Sequence, residues 1–231
     1  GSLPFNDFVI PPYQRPYKWT AKNVNQLISD IIAFRERKQY RLGTLVLHNN
    51  EIVDGQQRII TLTLLIRIMY DALKDEKVKA SYCDIYKKIT AFSNSDRVSF
   101  CNRYTLHNIV DNIHIIENRK SDFDKQLFDF LLTKCEFVVV RLNSISEAFQ
   151  FFDSQNARGK DLAAHDLLKA YHLREIPSLS EEDSKNIDDW QNRQTSFLEE
   201  VFLTLFRAKR WSRGKRGRWF KKDHTDVFKG F

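Results

Sequence analysis

Residues 51–74, EIVDGQQRIITLTLLIRIMYDALK, decide the fold of this chain. Glu51-Ile52-Val53 is predicted to form a short strand, and Asp54 to Arg58 a tight turn. Ile59 to Lys74 is predicted to form a buried helix, because apolar residues continue through it for helical length. The predicted order is therefore strand, tight turn and buried helix.

The neighbouring stretches predict a sheet around this unit. Tyr40 to His48 is rich in branched residues and is predicted to pair with Glu51-Val53 as a hairpin. Glu136 to Leu142 gives the strongest strand signal in the chain, because β-branched residues dominate it. We expect it to join the hairpin in one sheet. Ahead of the hairpin, Ala21 to Arg37 carries apolar residues at the spacing of an amphipathic helix.

Most of the remaining chain has helical patterns. Few strand signals occur from Ala80 to Thr133, and later helices are predicted from Ser146, from Ala163 to Leu173 and from Phe197 to Phe206. Two apolar stripes between Ala80 and Thr133 are predicted to face the core. They consist of Leu106, Ile109, Val110, Ile113 and Ile116, and of Phe123, Leu127, Phe130 and Leu131.

The composition is that of a globular chain in a reducing compartment. The 231 residues are 42% hydrophobic and include only 7 Gly and 5 Pro, which excludes a disordered chain. The three cysteines are odd in number and far apart, which argues against a disulfide framework or a structural zinc site. No apolar stretch reaches the about 20 residues needed to cross a membrane, and no targeting signal is visible. A cytoplasmic location and no membrane partner are therefore expected.

Asp54-Gly55-Gln56-Gln57-Arg58 is the strongest candidate site. A helix N-terminus presents unpaired backbone N–H groups and the positive end of the helix dipole, which together suit a phosphate. Arg58 adds a planar fork for phosphate oxygens, and Asp54 is a candidate ligand for a divalent metal that bridges them. The alternative is structural: Asp54 caps the helix, and Gln57 completes a capping box. Capping does not explain both Gln56 and Arg58.

A proline-rich loop, residues 12–19 with the sequence PYQRPYKW, is the second candidate. In the functional interpretation, the prolines fix the loop so that Arg15 and Lys18 face phosphate and an aromatic ring stacks on a base. In the structural interpretation, the loop is stiff and its aromatic side chains cover the core.

Histidines provide a weaker candidate. His107, Asp111 and His114 share one helix face at a spacing that suits metal ligands. An apolar stripe adjoins them, so a solvent-exposed polar face is the favoured interpretation, and the same holds for His165 and His172. The chain contains no G-x-x-x-x-G-K-[ST], H-E-x-x-H or G-x-S-x-G motif.

The turn and the loop together resemble a known family. Residues 8–65 contain FVIPPYQRPYKW, YRLGTLVL and EIVDGQQRIITLTLL in that order. This order is similar to the N-terminal domain of GmrSD-type modification-dependent restriction proteins, which is marked by a D-G-Q-Q-R motif. Residues 149–170, FQFFDSQNARGKDLAAHDLLKA, resemble that family's second motif, in which N-x-R-G is followed by D-L-L-K. Residues 75–133 show no family motif.

The resemblance implies an α+β fold, with a small mixed β-sheet core similar to the ParB/sulfiredoxin fold and a large α-helical extension. The expected parts are a ParB-like core with the D-G-Q-Q-R motif (1–75), a helical insertion (76–134), a strand with second-motif helices that complete the core (135–175), and a C-terminal helical region with a basic segment (176–231). It also implies nucleoside triphosphate binding and hydrolysis, coupled to the cutting of phage DNA that carries a modified base or backbone.

Matching the family motifs position by position gives two sets of expected site residues. The expected catalytic set is Asp54, Gln56, Gln57 and Arg58, and the expected nucleotide-binding set is Gln14, Arg15, Gly55, Asn156, Arg158, Gly159 and Lys160.

Roles for these residues follow from the chemistry of phosphoryl transfer to water, which requires mainly positioning and charge stabilisation. Asp54 is expected to hold Mg²⁺ or the attacking water. Arg58 and Arg15 are expected to bind phosphate oxygens, whereas Gln56 or Gln57 orients water. For residues 156–159 the alternative is a helix C-cap. Magnesium is thus the expected cofactor, and a nucleoside triphosphate is the expected substrate or ligand.

The net charge of +7 comes from one segment. Residues 207–222, RAKRWSRGKRGRWFKK, hold nine Lys and Arg and no acid, which leaves 28 basic residues against 30 acidic ones elsewhere. Such a segment can bind a phosphate backbone through counterion release. In the alternative, Trp211 and Trp219 anchor the last helices to the core while the charges stay in water. The expected DNA-binding residues are Arg210, Arg213, Lys215, Arg216 and Arg218.

Three functions remain open at this point. The first is a Mg²⁺-dependent nucleoside triphosphatase that regulates a nuclease outside this chain, in another domain or subunit, because no nuclease motif is visible here. The second is a DNA-binding sensor module without turnover. The third is a ParB-like nucleotide clamp that does not hydrolyse its ligand. The expected partners are a nucleoside triphosphate, DNA and a nuclease.

Overall fold

The computed structural model describes residues 8–11, 14, 16–93, 103–143 and 193–228, together with positions 164, 165, 168, 172, 182, 185, 186, 189 and 190. The chain divides into two compact units, Gly1–Pro11 with Pro16–Phe152 and Pro12–Arg15 with Asp153–Phe231.

Six α-helices and three strands lie in the described part of the chain, with 3₁₀ turns at Lys120–Asp122 and Lys222–Val227. None of these helices is long and apolar enough to cross a membrane. In chain order the elements are α1 (Ala21–Phe34), β1 (Tyr40–His48), β2 (Glu51–Asp54), α2 (Gln56–Ala72), α3 (Glu76–Ser93), α4 (Arg103–Glu117), α5 (Lys125–Thr133), β3 (Cys135–Leu142) and α6 (Thr195–Trp211).

The first unit contains a mixed sheet with the strand order β2-β1-β3. β1 pairs antiparallel with β2 and parallel with β3. Asn49 closes the hairpin with a φ of 53°, a left-handed conformation that asparagine tolerates. The α+β class and the joining of all three predicted strands in one sheet are confirmed. The likeness of this core to the ParB/sulfiredoxin fold stays a prediction.

α2 is the most deeply buried helix described in the first unit. It packs against α3, α4 and α5, and ten of its residues are buried. Because α2 is covered on most sides, its apolar pattern is nearly continuous rather than confined to one stripe. The predicted buried helix is confirmed, but it begins at Gln56, three residues earlier than expected.

α4 corrects one predicted core face. Ile116 is buried as expected, but Leu106 and Val110 are 49% and 50% exposed. The polar residues Thr105 and Asn112 are buried in their place. Positions 105, 109, 112 and 116 follow one face of a helix at i, i+4, i+7 and i+11, so the true inner face is rotated from the predicted one. The inner face of α4 is therefore partly polar.

α5 confirms the second predicted stripe. Leu127, Phe130 and Leu131 are buried, and Phe123 packs partly buried against the same core. Asp124 is the N-cap of α5, where its side chain accepts a hydrogen bond of 2.7 Å from the backbone N–H of Leu127. This cap fixes where the helix begins.

The second unit is organised around an aromatic cluster on α6. His165 is buried against Phe202, so the prediction of a solvent-exposed His165 is wrong, whereas His172 is exposed as predicted. The flat imidazole ring packs on a benzyl ring like another aromatic side chain. The ring centroids that lie 5.2–6.3 Å from that of Phe202 belong to His165, Trp190, Phe220 and Phe228.

The corrected face of α4 predicts how two matched substitutions differ. Ile116→Ala should lower the free energy of unfolding by about 2–4 kcal/mol, because it removes a buried side chain and leaves a cavity. Val110→Ala, on the exposed face, should change it by less than about 0.5 kcal/mol. Urea denaturation of both variants measures the difference. Equal effects would contradict this orientation of α4.

Candidate functional site

The D-G-Q-Q-R turn depends on Gly55, which joins β2 to α2 with a φ of 100°. Glycine adopts this left-handed conformation far more readily than other residues. A β-carbon at Gly55 would lie 3.0 Å from Cδ1 of Leu45 and 3.1 Å from the carbonyl oxygen of Thr44. Conformation and space therefore both require glycine here, and they bring the start of α2 directly against β1.

The capping alternative for Asp54 and Gln57 is wrong. Gly55 is the N-cap of α2, and it has no side chain with which to cap the helix. Asp54 instead ends β2, where it pairs with Val46 across the hairpin. The first turn of α2 contains no acidic residue, so no carboxylate there offsets the positive end of its dipole.

Gln57 fixes residues 16–19, the second half of the proline-rich loop, to α2. Its side-chain oxygen Oε1 accepts hydrogen bonds from the backbone N–H groups of Lys18, at 2.8 Å, and Trp19, at 3.2 Å. Its amide nitrogen donates to the carbonyl oxygen of Pro16 at 3.2 Å. Gln57 is 6% exposed, so these bonds are shielded from water. The amide of Gln57 is thus engaged in a structural contact with the loop.

Tyr17 continues this polar contact from α2 to α4. The hydroxyl of Thr61 donates to the carbonyl of Gln57, so the Tyr17 hydroxyl, 2.7 Å away, donates to Thr61. Asn112 donates to the Tyr17 oxygen at 3.1 Å and to the Trp19 carbonyl at 2.7 Å. Burial raises the pKa of Tyr17 and outweighs the lowering by the hydrogen bond from Asn112, so the phenol stays protonated.

Three residues of α4 hold the backbone of the loop, and sequence reasoning missed all three. Thr105 accepts a hydrogen bond from the Tyr17 N–H at 3.1 Å, and Asn108 donates to the Tyr17 carbonyl at 2.8 Å. Together with Asn112 they occupy i, i+3 and i+7 of one helix face. The sequence does contain this polar stripe on α4. It indicates a contact with the loop only once the loop is known to lie against this helix face.

Arg58 lies between β1 and the loop. A β-carbon at Gly43 would overlap Nη1 of Arg58 and lie 3.1 Å from its Cζ, so the guanidinium packs directly on the β1 backbone. Cζ of Arg58 is also 5.8 Å from the ring centroid of Trp19, a cation–π contact. Gly43 has a φ of 129° at an irregularity in the β1–β3 register. The guanidinium is therefore held in place one turn into α2 while remaining partly exposed.

A pocket of about 360 Å³ borders the other end of the loop. Trp19 and the first residues of α1 form one wall, and α4 forms the other. Its lining residues are Trp19, Thr20, Ala21, Asn108, Asp111, Asn112, His114 and Ile115. Trp19 is shared between this pocket and Arg58, so the pocket adjoins the guanidinium through one side chain.

The histidine face of α4 is exposed, as predicted. His107 pairs with Asp111 at 3.4 Å and His114 with Glu117 at 3.7 Å, all on the solvent side of the helix. Within the described residues, no group of three or more His, Cys, Asp or Glu is placed to hold a metal ion.

The structure brings the D-G-Q-Q-R residues of the expected site together in the first unit. Asp54 is partly buried at the end of β2, and Gln56 is buried at the first position of α2. Gln14 belongs to the second unit, where it is buried. Five of the expected nucleotide-binding residues lie outside the described residues, and their roles stay predictions. They are Arg15, Asn156, Arg158, Gly159 and Lys160.

Asp54 offers one carboxylate to a divalent metal. Mg²⁺ keeps several waters and is commonly held by one or two carboxylates together with substrate phosphates, rather than by a cage of protein ligands. A single carboxylate beside a helix N-terminus fits a magnesium ion that arrives with a phosphate. Among the described residues, it does not fit a metal held by the protein alone.

The basic segment, residues 207–222, does not bury its tryptophans, contrary to one of the two interpretations of its sequence. Trp211 and Trp219 are 63% and 58% exposed, so the interpretation that they anchor the last helices to the core is wrong. Phe206 and Phe220 pack together in that role, with ring centroids 5.5 Å apart. Of the expected DNA-binding residues, Arg210 is partly buried, and the exposed ones are Arg213, Lys215, Arg216 and Arg218.

Comparison with known families agrees with the motifs. The family described as the GmrSD restriction endonuclease, N-terminal domain, matches residues 3–173, which is more than half of the chain. The chain therefore belongs to this family of restriction endonuclease N-terminal domains. The matched range includes residues 76–134, where no family motif is visible in the sequence. Residues 182–231 match a family of unknown function, DUF7834. No curated protein matches the chain.

The contact between Gln57 and the loop predicts a change in protease sensitivity. Gln57→Leu removes the acceptor of two partly buried N–H groups, so the loop should open locally more often. Trypsin cleavage after Lys18, followed by mass spectrometry, should become about 10-fold faster or more.

Gln26→Leu is the matched control, because Gln26 is an exposed glutamine whose side chain donates a hydrogen bond to Asp30 of its own helix. It should leave cleavage after Lys18 unchanged. An unchanged rate in Gln57→Leu would show that the loop does not depend on this side chain.

Proposed function

We propose that the first unit binds a nucleoside triphosphate at the start of α2, hydrolyses it with Mg²⁺, and thereby regulates a nuclease in DNA restriction against phage. Family membership supports the restriction context. The observation that carries the proposed chemistry is a convergence at one helix terminus. The start of α2 has no acidic residue in its first turn, and Arg58 and Asp54 lie next to it in the chain.

The phosphates would bind at the start of α2. The N–H groups of a first helical turn and the positive end of the dipole both favour an anion. Arg58 adds a permanently charged, planar donor whose position is fixed by Gly43 and Trp19. A fixed donor loses little conformational entropy when a phosphate binds, which favours binding.

The nucleoside would occupy the pocket beside Trp19. The indole offers a flat surface for a base, and Asn108 and Asp111 in the pocket wall offer hydrogen-bonding groups. Its volume of about 360 Å³ lies within the range of small-molecule pockets. Because Trp19 touches Arg58 as well, a bound nucleoside and the phosphate donor would contact the same residue.

Asp54 and Gln56 would act on the metal and the water. Asp54 is the residue that would hold Mg²⁺, which supplies charge neutralisation at the phosphate oxygens. Gln56, buried at the first position of α2, would orient the water, whereas the Gln57 side chain bonds three backbone groups of the loop. Gln57 is accordingly a positioning residue.

The test is phosphate release from each of the four ribonucleoside triphosphates with Mg²⁺. Asp54→Ala and Arg58→Ala should each lower kcat by about 100-fold or more, since each removes a charged group that acts on the transferred phosphate. Turnover by the wild-type chain with at least one base, lost in both variants, is the predicted result.

Matched controls separate a lost site from a lost fold. Asp84→Asn removes an exposed carboxylate on α3, and Arg37→Ala removes an arginine that lies over the ring of Phe34 at 5.8 Å, much as Arg58 lies over Trp19. Both should hydrolyse at the wild-type rate. If calorimetry shows tight nucleotide binding but no phosphate is released, the chain is a nucleotide clamp and not a hydrolase. Neither binding nor turnover would contradict the proposal.

A further inference from the structure

The basic segment turns back onto α6 through a glycine. The N–H of Gly214 bonds the carbonyl of Trp211, and the N–H of Lys215 bonds the carbonyl of Arg210, each at 2.9 Å. With Gly214 at a φ of 67°, this is the Schellman arrangement that ends many helices. Residues 213–218 are thereby directed back along the last turns of α6.

Two arginines of α6 hold this loop in place. Nη2 of Arg207 donates to the carbonyl of Arg218 at 3.2 Å, and Nε of Arg210 donates to the carbonyl of Arg216 at 2.9 Å. A β-carbon at Gly217 would come within 3.3 Å of Cα of Arg207 and Cβ of Arg210, so the loop packs closely on the helix. Arg210 is therefore a structural residue of this surface, and the loop is ordered rather than a solvated tail.

The ordered loop exposes cations between two exposed indoles. Trp211 precedes the loop and Trp219 follows it, and both are more than half exposed. The guanidinium of Arg218 lies 6.0 Å from the ring centroid of Trp219, so charge and aromatic surface belong to one patch. Desolvation is the larger cause of a lowered pKa at Lys209, and the neighbouring Arg213 guanidinium is the smaller one. The second cause reflects two cations that lie close together at this surface.

We propose that this patch, formed by Trp211, residues 213–218 and Trp219, binds single-stranded DNA, with the indoles stacking on unpaired bases and the cations contacting the phosphates. Surfaces that bind single strands combine a positively charged track with exposed aromatic rings. In a duplex the faces of the bases are stacked inside the double helix, so a duplex would contact only the cations of the patch. The patch lies in the range matched by a family of unknown function, and the proposal does not depend on the nucleotide site.

The experiment uses the 231-residue chain with EDTA and without nucleotide, so that its outcome is independent of nucleotide hydrolysis. Fluorescence anisotropy measures binding of a labelled 20-nucleotide single strand and of the duplex of the same sequence over a range of NaCl concentrations. The single strand should bind more tightly than the duplex. Trp211→Ala with Trp219→Ala should weaken single-strand binding by about 10-fold or more without changing the salt dependence.

A second variant tests the contribution of the cations in the patch. Arg213→Gln, Lys215→Gln and Arg216→Gln together should reduce the slope of log affinity against log salt by about 2, since each phosphate contact on a single strand contributes about 0.7. The matched controls are Phe197→Ala with Leu205→Ala, apolar residues of α6 that are each 49% exposed, and Lys22→Gln, Lys38→Gln and Lys77→Gln, which are exposed cations of the first unit. Both controls should bind as the wild type does.

Four results would overturn the proposal: no binding of the single strand at low salt, tighter binding of the duplex, unchanged binding in the tryptophan variant, or binding of phosphatidylserine vesicles without binding of DNA. Circular dichroism melting of each variant confirms that its fold is retained, and the exposure of both indoles makes retention the expected result.

Discussion

The side chain of Gln57 is the contact on which the candidate nucleotide site depends. One buried amide accepts from Lys18 and Trp19 and donates to Pro16, so it holds residues 16–19 as a wall of the candidate site. Both N–H groups are partly buried, and without Gln57 they would lose their acceptor together. Residues 16–19 of the loop are therefore held both by these polar contacts and by the burial of Tyr17 against Ile60 and Ile109.

Two glycines allow the charged part of the site to assemble. Gly55 adopts the left-handed backbone conformation that turns the chain from β2 into α2. Gly43 lets the Arg58 guanidinium pack on the β1 backbone. A side chain at either position would separate α2 from the sheet or displace the arginine. The result is a helix N-terminus, a guanidinium and a carboxylate from five consecutive residues, next to a loop that carries an indole. The proposed phosphate chemistry requires this arrangement.

Much of the first unit was predictable, because its signals are local. β-branched runs gave the strands, the continuous apolar run gave α2, and the D-G-Q-Q-R turn marked the site. The role of Gln57 was not predictable, since the spacing Asp54 to Gln57 also fits a capping box. For α4, helical periodicity allows two overlapping faces to be the buried one. The face with Thr105 and Asn112 is buried because the loop packs against it, and the sequence does not reveal that contact. The exposure of the two tryptophans in the basic segment was likewise not predictable, because it depends on tertiary packing and the pattern of charges in the sequence does not reveal that packing.

The measurement that tests the central claim most directly is amide hydrogen exchange of the chain with and without a non-hydrolysable nucleoside triphosphate and Mg²⁺. The account predicts slower exchange in residues 54–59, where phosphate would meet the N–H groups of α2, and in residues 16–19, which Gln57 holds beside them. Protection confined to the basic segment at residues 207–222, or no protection at saturating nucleotide, would contradict it.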